Sequence, residues 1–318
     1  MSLFGNSIKT GTGIAKDAPK KKPFFRYWEI AFRKFWKIID INMLMAFGFL
    51  PLLLAGIVIY YFAENYAKTA LLLAGGLVIL FAVCFGPLLA GCTQVLRNFA
   101  REKPIFLLDT FFKAFKNNFK QACLVGIIDL IMITSVASSF YVYPKMIQAD
   151  GSVIYYILFI STLSIAIAVT MMSFYAYLMI VSTDLSMKNI LKNSLALSFI
   201  ALKQNLITLL IAILVMGIFG ILTYLFPYIL AIFWVFIPTG FVAFMIVFNC
   251  YPVIQKFVIN PYYTQKGEIN PELTANSTGG ENIFEDRGGS EKPTEIINTK
   301  ENESKNHKTP RKKGKVIS

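Results

Sequence analysis

Long uncharged apolar segments alternate along the chain with short segments rich in lysine and arginine. Residues 41–62 carry no charge and can cross a hydrocarbon core of about 30 Å as a helix. Residues 204–255 are also uncharged but too long for one crossing, so we expect a turn near Phe226 and Pro227. The pattern predicts an all-α polytopic membrane helix bundle with about six spans, at residues 41–62, 70–96, 122–143, 153–182, 206–226 and 228–254.

An amphipathic segment precedes each of the three pairs of spans. They lie at about residues 24–37, 109–120 and 183–205, with apolar side chains at three- and four-residue steps and basic side chains opposite. Such helices are typical of the membrane interface. Lys37, Lys120 and Lys203 end the segments at two intervals of 83 residues. This spacing suggests three repeats of an amphipathic helix plus a helical hairpin.

The same pattern divides the chain into three regions. Residues 1–23 are predicted to be a flexible leader and residues 24–258 the membrane domain, whose second span carries a stripe of small residues at Ala82, Gly86 and Ala90. Residues 259–318 are polar, acidic first and basic last, and we interpret them as a disordered tail.

Composition excludes a soluble globule. Hydrophobic residues make up 56% of the chain and charged residues 15%, where a soluble domain carries roughly a quarter of its residues as charges. The mean hydropathy of +0.58 requires that much of this apolar surface face lipid.

The distribution of positive charge predicts the orientation. Under the six-span prediction, 29 of the 31 lysines and arginines lie on one face, and Lys68 and Lys145 lie on the other. The positive-inside rule places the basic face in the cytoplasm, with both termini, in a multi-pass protein of the cell membrane. The net charge of +13 therefore predicts contact with anionic lipid at the cytoplasmic face rather than with nucleic acid.

The sequence contains no recognisable catalytic or metal-binding motif. Its four cysteines lie in apolar runs without a C-x-x-C pair, and its single histidine, His307, lies in the polar tail. A hydrolase would need a nucleophile beside a base, and a metal enzyme a group of ligands. We therefore expect no enzymatic activity, no cofactor and no metal.

Asp129 and Asn249 are the candidate intramembrane polar residues. Asp129 lies about 12 Å into the third span. An aspartate at that depth costs about 2.5 to 3.5 kcal/mol on insertion scales, so it should face the bundle, where Thr134, Asn249 or another polar group could satisfy it, or stay protonated. It is either a proton- or ion-coupling residue or a hydrogen-bonded packing group. Asn249, in the sixth span, is expected to form an interhelical hydrogen bond.

Several segments resemble the YesL-like family, bacterial integral membrane proteins of unknown function. The resemblance is clearest over residues 11–130 and rests on Gly11–Lys20, Phe32–Lys37 with Asn42, Gly86–Gly91, Leu96–Glu102 and Phe111–Gln121. The family has no agreed reaction and hence no catalytic residues to transfer. The resemblance implies an accessory role in carbohydrate uptake, with a sugar importer as a partner.

Two functions follow from these observations. The flexible leader, the basic interfacial helices and the lack of a catalytic pattern favour a non-enzymatic accessory or scaffold protein. Spans broken by Pro51, Pro87 and Pro238, together with Asp129, favour a small secondary transporter or channel.

The charge distribution generates a topology prediction. A reporter fused after residue 103 or residue 188 should be cytoplasmic, because the flanking basic loops resist translocation. A fusion after residue 150, in the predicted outer loop, is the matched control and should report the opposite side. External location of the reporter after residue 103 or 188 would overturn the orientation.

Overall fold

The computed structural model describes residues 22–226, 238–268, 270 and 272 of the chain, apart from the side chain of residue 63. In this part of the chain ten α-helices follow one another, with a π-helical turn, Gln255–Ile259, between the last two. The helices are α1 Pro23–Arg33, α2 Phe35–Gly48, α3 Leu50–Ala100, α4 Leu107–Asn117, α5 Phe119–Asp150, α6 Val153–Ser182, α7 Met187–Ile200, α8 Leu202–Leu225, α9 Pro238–Ile254 and α10 Asn260–Gln265.

Six helical segments of the described residues are long and apolar enough to cross a membrane. These are span 1 Phe35–Phe62, span 2 Glu64–Ala100, span 3 Phe119–Asp150, span 4 Val153–Ser182, span 5 Leu202–Leu225 and span 6 Pro238–Lys266. The prediction of an all-α polytopic helix bundle is confirmed. The predicted start of the last span, at residue 228, lies outside the described residues.

Breaks in the spans occur near some prolines and not at others. The expected break of span 2 at Pro87 is absent, because that proline lies inside the continuous helix α3. The helix of span 1 is interrupted at Phe49, two residues before Pro51, and α3 leaves helical geometry at Tyr66 (φ −136°, ψ 47°), close to the start of span 2. Pro144, where span 3 was predicted to end, lies inside α5. That helix runs on to Asp150 and stops at Gly151, whose positive φ of 62° provides the left-handed conformation of a C-terminal cap.

Helical structure continues past residue 258, the predicted boundary of the membrane domain. After α9 the chain stays helical through the π-helical turn and α10 to Gln265. Asn270 and Glu272 are buried against the membrane domain. The other residues of the predicted tail beyond Glu268, and residues 1–21 of the predicted leader, lie outside the described residues.

Three junctions repeat along the chain. Each of α1, α4 and α7, which cover the segments predicted to be amphipathic, is followed by one residue outside helical geometry and then by a span. The junction residues Lys34, Asn118 and Ala201 have φ between −110° and −103° and ψ between 9° and 29°. They lie 84 and 83 residues apart, so the threefold plan predicted from Lys37, Lys120 and Lys203 has a backbone counterpart.

The end of the bundle that carries α1, α4 and α7, here called the basic end, contains most of the described core. Phe99, Tyr175, Met179 and Phe244 are essentially inaccessible there. At the opposite end the span surfaces are open, with Tyr60 81% and Leu72 77% exposed. Apolar side chains at that exposure are compatible with lipid rather than water.

An ionic contact ties α1 to the segment after span 2. Glu102 accepts hydrogen bonds from Arg26, at 3.2 Å, and from Arg33. Burial raises the pKa of Glu102, but the hydrogen bond and charge of Arg33, helped by Arg26, outweigh it and hold that pKa below its ordinary value. Tyr27 completes the attachment of α1 by donating a hydrogen bond to the carbonyl oxygen of Phe241, at 3.0 Å.

Spans 2 and 3 cross in direct backbone contact at two glycines. A methyl group on Gly86 would overlap the carbonyl oxygen of Ala122, and one on Gly126 would lie 2.5 Å from the Cα atom of Gly86. Small residues allow this approach because they leave no side chain between the helices. The small-residue stripe predicted for the second span is therefore a helix-crossing surface at Gly86.

We expect Gly86→Ala to lower the stability of the bundle by about 1 to 3 kcal/mol, the usual cost of overpacking. The matched control is Gly75→Ala on the same span, where an added methyl group meets no atom within 4 Å. Thermal unfolding in detergent, followed by circular dichroism, measures both variants. Equal melting temperatures would contradict the close crossing.

Candidate functional site

Asp129 of span 3 is buried and hydrogen-bonded to span 4. The residue is 7% exposed. One carboxylate oxygen accepts a hydrogen bond from Ser173 Oγ at 2.5 Å, and the other accepts one from Tyr177 Oη at 2.8 Å. Ser173 and Tyr177 are four residues apart and therefore lie on one face of α6. The two hydroxyls compensate part of the cost of a carboxylate inside the membrane.

The Ser173 hydroxyl has two acceptors within reach. Besides Asp129 it lies 3.0 Å from the carbonyl oxygen of Val169, one turn earlier in α6. One hydroxyl hydrogen can serve one of these bonds at a time. Ser173 can therefore turn between Asp129 and its own helix without losing its hydrogen bond.

The residues predicted to satisfy Asp129 make other bonds. The Thr134 hydroxyl lies within hydrogen-bond distance of the carbonyl oxygens of Leu130 and Ile131 in its own helix and donates to one of them at a time. Asn249 donates through Nδ2 to Thr208 Oγ1 at 3.1 Å, which links spans 6 and 5 as the expected interhelical hydrogen bond. Of the suggested partners of Asp129, Thr134 and Asn249 do not bond to it; other polar groups, the hydroxyls of Ser173 and Tyr177 from span 4, do.

A cavity of about 310 Å³ adjoins Asp129. Its walls come from five spans and are mostly apolar; they include Met45 of span 1, Phe85 and Leu89 of span 2, Phe174 of span 4 and Val247 of span 6. Thr93, Thr170, Ser173 and Tyr177 add hydroxyl groups. Among the lining residues Asp129 is the only carboxylate. The volume lies in the range of small-molecule sites.

The ion pairs of the described residues lie away from this cavity. They join Arg26, Arg33, Arg97 and Arg101 to Glu102 or Glu272 at the basic end, and Lys113 to Asp109 on α4. Asp129 is thus without a lysine or arginine partner in the part of the chain that the structure describes. Its charge, when present, is available to a ligand in the cavity.

The described residues do not form a recognisable metal site. Across residues 22–226 and 238–268, with Asn270 and Glu272, no three histidine, cysteine, aspartate or glutamate side chains are grouped to hold an ion. The four cysteines are free thiols. The absence of a cofactor and of enzymatic activity stays a prediction.

Sequence reasoning missed Asn42 as a polar contact between spans 1 and 6. Its Oδ1 accepts a hydrogen bond from Thr239 Oγ1, at 2.8 Å, and another from the backbone N–H of Gly240. Gly240 allows this approach, since a methyl group there would lie 2.8 Å from the same oxygen. An asparagine inside an apolar run was the available signal, but its partner is 197 residues away.

The comparisons with known proteins add one finding. A family model described as "Protein of unknown function, DUF624" matches residues 65–149, from span 2 to the end of span 3. No curated protein and no solved structure matches the chain. The matched part contains Asp129 and the Gly86–Gly126 crossing. It is consistent with the resemblance noted for residues 11–130, and the narrower YesL-like assignment stays a prediction.

We expect Tyr177→Phe to destabilise the protein by about 1 to 3 kcal/mol, because it removes a donor from a buried carboxylate. In an Asp129→Leu background the same change should cost much less, since the charged acceptor is gone. Unfolding measurements on the wild type, the two single variants and the double variant give the interaction free energy. A cost of Tyr177→Phe that is the same in both backgrounds would contradict the hydrogen bond.

Proposed function

We propose that this multi-pass membrane protein is a small secondary transporter that binds a largely apolar cation at Asp129. The observation that carries the proposal is the Asp129 carboxylate in the wall of an apolar cavity between five spans, without a described lysine or arginine beside it. An ionisable residue inside a membrane domain points to an ion or substrate pathway.

The walls of the cavity favour a cation with an apolar body. Phe85, Phe174 and Tyr177 offer aromatic rings, which attract cations through their faces. The carboxylate supplies the opposite charge. A ligand that carried only charge would leave most of the wall without a favourable contact, whereas an apolar body would fill it.

An interrupted helix beside the cavity supports movement of a bound ligand. Met45 lies four residues before the interruption of span 1 at Phe49. Transporter sites typically lie where interrupted spans meet inside the bundle. The interruption gives span 1 a place to bend around the site. Phe85 lies two residues before Pro87, which lacks a backbone N–H but lies inside the unbroken helix of span 2.

An accessory role is the alternative proposal. The open span surfaces opposite the basic end, where Leu71, Leu72 and Ile79 are 71%, 77% and 66% exposed, favour contact with another membrane protein, such as a sugar importer. We further propose that the protein is a YesL-like member located in the cell membrane, with both termini cytoplasmic and the basic end against anionic lipid.

Cation binding is tested with benzyltrimethylammonium, a compact cation with one aromatic ring, on the purified full-length protein. We expect the probe to raise the melting temperature of the wild type and to leave that of Asp129→Asn unchanged, because the amide retains the shape but not the charge. Uptake of the probe into proteoliposomes should likewise be observed with the wild type and be lost with Asp129→Asn.

The matched control is Asp150→Asn, which removes an exposed carboxylate from the end of the same helix. It should respond to the probe as the wild type does. If Asp129→Asn, Asp150→Asn and the wild type all respond alike, the cation site is refuted and the accessory role becomes the preferred function.

A further inference from the structure

At the basic end a second cluster surrounds the carboxylate of Glu272. Arg97, near the end of span 2, is fully buried, and its Nη2 atom lies 2.7 Å from Glu272 Oε1. Arg101 Nη1 lies 2.7 Å from the same oxygen. Tyr251 Oη donates to the other oxygen, Oε2, at 2.5 Å, and Gln255 Nε2 donates to it at 3.0 Å. Four donors from two spans and the segment after span 2 thus converge on one anion.

The cluster carries more positive charge than its occupant neutralises. Arg97 and Arg101 contribute two charges, and Glu272 contributes one of opposite sign. Lys103 lies close enough to be affected by these charges. Burial and, after it, the positive charges of Arg101 and Arg97 hold the pKa of Lys103 below its ordinary value, against the opposing effect of Glu272. A phosphate monoester, with a charge of about −1.5 to −2 at pH 7, would balance the two arginines more fully than one carboxylate.

The hydrogen-bonding capacity of Arg97 is also unfilled. Its Nη2 atom donates to Glu272 and lies 2.9 Å from Tyr251 Oη, but its buried Nε atom has no partner in the described part of the chain. A buried donor without an acceptor is unfavourable. A carboxylate has two oxygens, whereas a phosphate monoester has three terminal oxygens and so offers one more acceptor. Arginine also suits phosphate particularly well, because its planar donors match the spacing of the oxygens.

Two hydrogen bonds, through Asn270 and Asn260, position Glu272 in the cluster. Its backbone N–H donates to Asn270 Oδ1 at 2.9 Å, and Asn270 Nδ2 donates to Asn260 Oδ1 at 2.9 Å. The donors around the carboxylate come from the membrane domain, while Glu272 lies beyond the helix that ends at Gln265. The donors therefore form a site, and Glu272 is its occupant.

From this geometry we infer that Arg97, Arg101, Tyr251 and Gln255 form a phosphate-binding site at the basic end, in which the Glu272 carboxylate is an internal occupant that a phosphate group displaces. The phosphate belongs either to a lipid headgroup or to a free phosphate compound. The site is separate from the Asp129 cavity and does not depend on cation transport.

The test uses full-length protein in neutral detergent and compares the wild type with Glu272→Gln. Melting temperature is measured in inorganic phosphate and in chloride of equal ionic strength. Glu272→Gln should be stabilised by phosphate, with an apparent affinity at least about tenfold above that of the wild type, because the competing carboxylate is gone. Adding Arg101→Gln to this variant should abolish its gain in phosphate affinity.

The matched control is Glu102→Gln, which removes a carboxylate from the same end of the bundle but leaves Arg97 and Arg101 unchanged. It should respond to phosphate as the wild type does. Glu272→Asp, which keeps the charge but shortens the side chain, also weakens the four contacts and should gain phosphate binding. It keeps the test decisive if Glu272→Gln does not fold.

A second arm identifies the source of the phosphate. The same variants are placed in phosphatidylcholine nanodiscs with or without phosphatidic acid. Stabilisation of Glu272→Gln by phosphatidic acid alone indicates a lipid headgroup, and stabilisation by inorganic phosphate alone indicates a free compound; both support the site. If neither stabilises Glu272→Gln or Glu272→Asp more than Glu102→Gln, the cluster is only an internal ion pair and the inference fails.

Discussion

The high cost of polar groups in hydrocarbon governs how the spans of this protein pack. Several polar side chains inside the spans form hydrogen bonds that join different helices. Asp129 joins span 3 to span 4, Asn42 joins span 1 to span 6, and Tyr175 joins span 4 to Asn205 of span 5 at 2.7 Å. An apolar side chain gains little by contacting another helix instead of lipid. The hydrogen bonds therefore do more than apolar contacts to decide which spans become neighbours.

The same constraint gives the bundle two different ends. At the basic end the amphipathic helices, the Gly86–Gly126 crossing and the ion pairs of Glu102 and Glu272 produce a close-packed core. At the opposite end the span surfaces are open to lipid. The Asp129 cavity adjoins the close-packed part, where five spans meet around it. A site in that position can be held rigidly on one side and remain adaptable on the other.

Two acidic residues illustrate two ways of keeping a carboxylate buried. Asp129 accepts bonds from neutral hydroxyls and has no described basic partner, which leaves its charge available to a ligand. Glu272 is bonded to two arginines, a tyrosine and a glutamine, so its charge is neutralised within the protein. The first arrangement suits recognition of a cation, and the second suits exchange of one anion for another.

The sequence by itself determined the elements and their order. Uncharged runs long enough to cross lipid predicted the six spans, and the spacing of Lys37, Lys120 and Lys203 predicted the repeated junctions, because both depend on local hydrophobicity and period. It also marked Asp129 and Asn249 as unusual. The tertiary structure decided their partners: Ser173 and Tyr177 approach Asp129 from another helix, and Glu272 approaches Arg97 from 175 residues away. The apolar surfaces of spans are nearly interchangeable, so pairing depends on a few distant polar and glycine contacts that no local pattern contains.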